Sequence, residues 1–181
     1  MTDAWIETVS GVKFDILQPH PDMVRIEDIA HALSHQCRFT GHTSRFYSVS
    51  EHSMHVAWLC PTEDALWGLL HDASEAYIAD LARPVKHMTP VGEPYRIIED
   101  RIMKAVCARF NLIPEMPGSV KRADGQMLFV EKKQLMPGVP WGNDWGVDLS
   151  LLPEVTLECY EPKVAKEMFL SVYSNLTNTW G

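Results

Sequence analysis

Long apolar runs are missing from this chain, and so is any paired-cysteine motif. No stretch reaches the roughly 18 consecutive apolar residues of a membrane span. The opening Met1-Thr2-Asp3-Ala4-Trp5 has no basic region followed by an apolar core, so no signal peptide is expected. Only four cysteines occur in 181 residues, Cys37, Cys60, Cys107 and Cys159. They are widely spaced, without a C-x-x-C pair, and read as small core side chains of a protein from a reduced cytoplasmic setting. Basic charge is scarce as well: 16 Lys and Arg face 24 Asp and Glu, for a net charge of −8. The absence of a long basic run argues against an extended nucleic-acid partner. A small phosphate ligand is not, because a few local cations or a metal suffice for it. Internal repeats, low-complexity tracts and interdomain linkers are also lacking. What remains, at 46% hydrophobic residues, is enough for one well-buried domain. Histidine, by contrast, is plentiful: eight residues, clustered between His20 and His87.

The periodicities predict a mostly α-helical bundle with a small N-terminal β-hairpin. Residues 5–17 hold two β-rich runs around Ser10-Gly11, a turn dipeptide. A lone hairpin is marginal, so it should lie against helices. The helical core spans 26–135. Its first helix covers about 26–36, with Ile26, Ile29, Ala30, Leu33 and Cys37 as the buried stripe and Glu27 and Asp28 suiting the dipole. His31 and His35 share one face at a spacing that can bind zinc, but with no third ligand nearby they read as packing or surface residues. Residues 38–49 form a loop whose Arg, His and aromatic residues suit either a nucleotide-facing role or ordinary anchoring. A second helix starts near Ser48 or Ser50 as cap and stops at Pro61. A third, capped by Thr62, runs to about Asp80 and carries His71, Asp72 and Glu75. Residues 83–87 read as a loop. Long helices follow at about 93–110 and 118–135, then a Pro/Gly/Trp-rich loop over 137–153 with Trp141 and Trp145, and a last helix over 163–176.

Three helices each place a metal-competent side chain on or near a buried face: His52, the adjacent His71-Asp72, and Asp124. Burying such groups costs several kcal/mol unless they are satisfied. Two imidazoles and two carboxylates together suit a divalent cation. Glu131 follows Asp124 at heptad spacing on the same apolar side. A carboxylate on that buried stripe, Asp124 or Glu131, needs a partner, for which a helix-to-helix salt bridge with Arg or Lys is the ordinary alternative to a functional role.

These residues, in the order His52, His71-Asp72, Asp124, resemble the HD-domain phosphohydrolase superfamily. The flanking words Ile26-Glu27-Asp28-Ile29-Ala30-His31-Ala32-Leu33, Cys37-Arg38-Phe39, Ser48-Val49-Ser50-Glu51-His52-Ser53 and His71-Asp72-Ala73-Ser74-Glu75-Ala76-Tyr77 are similar to small phage HD proteins that include a dATP triphosphohydrolase. Bacterial HD-type 5′-deoxynucleotidases are the other similar group. The resemblance covers about residues 5–135. It implies His52, His71, Asp72 and Asp124 as ligands of a divalent metal (Zn²⁺, Co²⁺, Mn²⁺ or Mg²⁺). It implies Glu75 as the residue that positions or deprotonates water, and Asp80 as a second acid/base or orienting group. Arg38, Lys86 and Lys121 match phosphate-contacting positions. Phe39 stands where an aromatic stacks on the sugar, a Trp in the deoxynucleotidases.

The activity so implied is hydrolysis of the 5′ phosphate ester of a 2′-deoxynucleotide, with dATP the first substrate in view and triphosphate as product. A 5′-deoxynucleotidase acting on dNMPs is the alternative. A hydrolase of cyclic or signalling nucleotides is a third option, and a nucleotide-binding protein without turnover belongs to another class. Glu75 discriminates against that last reading, since binding alone does not need it. By analogy with these families the chain is expected to form a homo-oligomer and to work in the cytoplasm, without a membrane.

Overall fold

The computed structural model describes residues 4–136, 138 and 152–178. It is mostly helical, with one two-stranded antiparallel hairpin at the N-terminus. Strands β1 (Trp5–Glu7) and β2 (Lys13–Asp15) pair in the register Ile6 to Phe14. Gly11, at φ 79°, turns the chain between them. Phe14 is fully buried and stacks on Tyr77 at 3.8 Å between ring centroids. The Asp28 carboxylate accepts both the backbone N–H and the hydroxyl of Ser10, at 2.9 and 2.7 Å. These two anchors seat a hairpin that would be marginal alone.

Helix α1 (Ile26–His35) buries Ile29, Ala30 and Leu33 of the expected stripe, while Ile26 and Cys37 are only half-buried. Helix α2 (Val49–Leu59) is the axis of the bundle and packs against α1, α3 (Ala65–Leu70), α7 (Gly118–Leu135) and α8 (Pro162–Asn178). Ser48 caps α2 by accepting the Glu51 N–H at 3.0 Å. Every residue of α2 from Val49 to Ala57 is buried, polar ones included. That is tolerable only because most of those polar groups are paired. Ser50 donates to the Ala165 carbonyl, Ser53 to that of Val49, and the Glu51 carboxylate accepts the N–H groups of Cys159 and Tyr160. His52 reaches across to α7.

The segment expected as one helix to Asp80 is broken. Thr62 does not cap it; Thr62–Asp64 form a single 3-10 turn before α3, and α3 ends at Leu70. Residues 71–74 then tighten into turns whose backbone bonds span three residues, Ala73 to Leu70 and Glu75 to Asp72, each at 3.0 Å. Helix α4 (Glu75–Ile78) follows for one turn. The loop expected over 83–87 is instead a short helix, α5 (Arg83–Met88), because Pro84 falls in its first turn, where a missing N–H costs nothing. Helix α6 (Gly92–Phe110) ends on Asn111 in the left-handed conformation, φ 55°. No helix among the described residues is long and apolar enough to cross a membrane. Of the four cysteines, all free thiols, only Cys107 is buried, so the core role expected of them holds for that one. The Trp141/Trp145 loop lies outside the described residues.

Candidate metal centre

Gly68 sets the geometry. A Cβ there would meet the Ala57 Cα and the Cys60 sulfur at 3.0 Å, so the absence of a side chain lets α3 pack closely onto α2. That approach brings His71, at the end of α3, opposite His52 in the middle of α2. Their Nε2 atoms lie 3.2 Å apart. Asp72 Oδ2 is 3.2 Å from His71 Nε2 and 3.6 Å from His52 Nε2. Asp124 Oδ1, from α7, is 3.3 Å from His52 Nε2 and 3.9 Å from His71 Nε2. Donors held ~2.0–2.1 Å from a tetrahedral ion are spaced by ~3.3 Å, the range seen here. His52, His71 and Asp72 thus form a group able to hold a metal ion; Asp124, more exposed, lies near both imidazoles but is not one of that group.

Both imidazoles are oriented for the task. His71 Nδ1 donates to the Gly68 carbonyl at 2.7 Å, and His52 Nδ1 to Glu131 Oε1 at 2.6 Å. With each Nδ1 committed as donor, each Nε2 lone pair faces the other across the cluster. Two buried lone pairs beside two carboxylates call for a cation. In the metal-free chain a proton serves: burial and Arg38 lower the His52 pKa, but Glu131 and Asp124 outweigh them and it is pushed up to about 9. Asp72 is held far below the usual carboxylate range; burial opposes this, and His71, His52 and Arg38 enforce it. Asp124 is lowered by the same two histidines against its own burial.

Glu131 is the residue whose role here the sequence left open. It sits two turns after Asp124, fully buried, and its second oxygen accepts the Arg38 Nε–H at 3.1 Å. An ion pair with Arg is therefore present, but Arg38 comes from the 3-10 turn Arg38–Gly41, not from a second helix as expected. Arg38 also lies 3.6 Å from Asp72 through its Nη1, with only 11% of the side chain exposed. The guanidinium expected to meet phosphate is thus already engaged by two carboxylates. Its other face stacks over Phe39 at 5.5 Å. Phe39 and Thr40 both adopt left-handed backbone, φ 54° and 55°, a strained arrangement for two non-glycine residues in succession.

Glu75 is buried one turn after His71, and its Oε2 has no hydrogen-bond partner. Burial, then Asp72 and Asp80, push its pKa well up, against Arg38 and Lys86. Burial, with Asp72 behind it, also raises Asp80, against the pull of Arg38 and Lys86. Lys86, the other cation near this acid pair, is bound to Glu99 at 2.5 Å and lies over the Tyr95 ring. Lys121 is exposed on α7, one turn before Asp124, and makes no ion pair among the described residues. The cluster therefore gathers His52, His71, Asp72, Asp124 and Arg38 directly, with Glu75, Asp80 and Lys86 as electrostatic neighbours. His31 and His35 stack on each other at 4.2 Å and join no metal-competent group among the described residues. A hollow of about 250 Å³ between α2, α3 and α8, lined by Trp58, Cys60, Val172 and Leu176 among others, includes no residue of this cluster.

No family model matches the sequence. The chain is 39% identical over 144 residues to the uncharacterized protein YfdR of Escherichia coli, an overlap of 80% of this chain and 78% of that one. It is likewise 39% identical over 132 residues to the uncharacterized protein RCAP_rcc00048 of Rhodobacter capsulatus, covering 68% of this chain and 66% of the relative. At that identity and coverage, the chain belongs to the family of the Escherichia coli YfdR protein.

Proposed function

We propose that this protein is a divalent-metal-dependent phosphohydrolase of the HD-domain type, cleaving the 5′ phosphate ester of a 2′-deoxynucleotide. The observation that carries the reading is the meeting of His52 and His71 through their Nε2 atoms, both Nδ1 atoms being committed elsewhere, beside Asp72, Asp124 and a buried acid, Glu75. That convergence supports reading the order His52, His71-Asp72, Asp124 as HD-like.

His52, His71, Asp72 and Asp124 would hold the ion. When bound, it supplies charge to a phosphoryl oxygen and lowers the pKa of water (Zn²⁺, Co²⁺, Mn²⁺ and Mg²⁺ all fit one or more of the donors). Glu75 orients a water against the α-phosphorus and takes its proton. Glu75 is buried and its Oε2 has no hydrogen-bond partner, so that oxygen is available to a water. A new P–O bond forms, the bond from phosphorus to O5′ breaks, and O5′ gains a proton, for which Asp80 is the nearby carrier. With dATP the products are deoxyadenosine and triphosphate. A specific observation favours dNMPs as a second reading: Arg38 and Lys86, two of three cations expected to bind a long anion, are already paired with carboxylates.

The test is to incubate metal-loaded protein with each dNTP, NTP and dNMP and to separate the products. Triphosphate released from dATP supports the first reading. Phosphate released from dNMPs alone supports the second. No turnover with any of the four metals overturns both.

Metal affinity should also depend on pH in a defined direction. The ion needs the neutral form of His52, whose pKa in the metal-free chain is about 9. Below that pH binding must expel a proton, so affinity rises with pH by up to about tenfold per unit and levels off above about 9. Chelator competition at several pH values between 6.5 and 9.5 reads this slope. A flat profile would place the ion away from His52.

A further inference from the structure

The one-turn helix α4 carries Glu75 at its start and delivers Asp80 just past its end. Four residues cannot hold their own shape, since a single helical turn is unfavourable without outside support. The exit from α4 is strained too: Ala79 has φ 67° and ψ 162°, a region that only glycine visits freely. Something outside α4 has to hold both of its ends.

One side chain does so. Gln36, at the C-terminal cap of α1, donates its Nε2–H to the Glu75 carbonyl at 2.9 Å and accepts the Asp80 N–H at its Oε1 at 3.1 Å. The orientation of this amide is fixed by chemistry: a carbonyl can only accept and an N–H can only donate. The backbone of Gln36 is itself anchored, its carbonyl accepting the Val49 N–H at 3.0 Å, at the first residue of α2. Tyr95 holds the chain from the other side by donating its hydroxyl to the Ala79 carbonyl. Both side-chain hydrogen bonds of Gln36 go to backbone groups of the α4 segment, and none among the described residues goes to a metal-competent side chain.

We infer that Gln36 is a positioning residue: its amide clamps the two ends of α4 and thereby sets Glu75 and Asp80 in register with the His71-Asp72 pair. The inference rests on the hydrolase reading for its catalytic consequence, but not for the clamp itself. Without the clamp, Glu75 loses its place relative to the reacting centre, and misplacement by about an ångström costs on the order of 100-fold in rate.

Two variants test it. Gln36→Met keeps the length and removes both hydrogen bonds. Gln36→Glu keeps the acceptor for the Asp80 N–H and loses the donor to Glu75. For Gln36→Met we expect kcat to fall roughly 10–100-fold, with KM and the affinity for Mn²⁺, read by calorimetry, within about twofold of the parent protein. We expect Gln36→Glu to lie between the two. Hydrogen exchange at the Asp80 amide should speed up in Gln36→Met and stay slow in Gln36→Glu. Equal loss of metal affinity and kcat would reduce Gln36 to a general fold contact and overturn the inference. Unchanged exchange at Asp80 in Gln36→Met would overturn the clamp. If the parent protein turns over no nucleotide, the hydrolase reading falls, and the exchange experiment still decides the clamp.

Discussion

Replacing Asp72 by Asn is expected to strip the metal from this protein and to end hydrolysis, while leaving it folded. Asp72 Oδ2 lies within 3.6 Å of both imidazole Nε2 atoms and of the Arg38 guanidinium. Asparagine keeps the volume and removes the charge, so the donor set drops from two anionic oxygens to one. Changing a partner outside the ligand set commonly costs a metal ~10–100-fold in affinity, so loss of a ligand should cost at least about 100-fold. Turnover should fall about 1000-fold, equivalent to roughly 4 kcal/mol of lost transition-state stabilisation. The fold should hold, because Arg38 keeps its bond to Glu131 and the Asp72 side chain is partly exposed. Metal analysis after equilibration and gel filtration, with a thermal melt of the metal-free protein, reads all three. An unchanged metal content would rule out this site.

Glu131→Ala should differ from Asp72→Asn in losing stability as well as metal affinity, with the stability loss the larger effect. Glu131 is fully buried and serves two cations or near-cations at once, His52 through Oε1 and Arg38 through Oε2. Alanine leaves a buried guanidinium with only Asp72 at 3.6 Å, and a buried imidazole with no fixed tautomer. Breaking a buried pair from one side costs about 3–5 kcal/mol. For a chain of this size each kcal/mol moves Tm by about 2–4 °C, so Tm should drop by on the order of 10 °C. Metal affinity should fall a further ~10–100-fold, because nothing then holds the His52 Nε2 lone pair toward the cluster. Paired melts of Asp72→Asn and Glu131→Ala separate the two roles. A melt of Glu131→Ala at the parent temperature would mean that the buried pair contributes nothing.

The legible part of the site was the part written in local chemistry. His71-Asp72 stood out as polar residues within an apolar helical pattern, and His52 and Asp124 as further donors on separate helices. Glu75 was readable as one turn from His71. Glu131 was half legible: its place on the Asp124 stripe required a partner, and Arg or Lys was the natural class. That the partner was Arg38, 93 residues earlier, was not readable, nor was the bond to His52. Gln36 gave no signal, because a glutamine at a helix end is ordinary until its partners on α4 are seen.

The break in the helix after Leu70 was missed for a related reason. Residues 65–78 carry an unbroken helical pattern, with no proline or capping residue to end α3. The tightened turns over 71–74 accompany the close packing of α3 on α2 through Gly68 and the bond from His71 to the Gly68 carbonyl. The helix at 83–88 was missed because Pro84 reads as a breaker unless it is known to sit in a first turn.

By itself, the sequence determined the helical bundle with its hairpin, most helix limits to within a residue or two, and three side chains, His52, His71 and Asp72, that the fold brings into a group able to hold a metal ion. Those follow from periodicity, caps and residue chemistry, all properties of neighbours along the chain. Tertiary structure alone decided which nitrogen of each histidine faces the cluster, which cation neutralises which carboxylate, and how α4 is held. Each of these depends on groups brought within about 3 Å from distant parts of the chain, where hydrogen bonds act and sequence separation no longer matters.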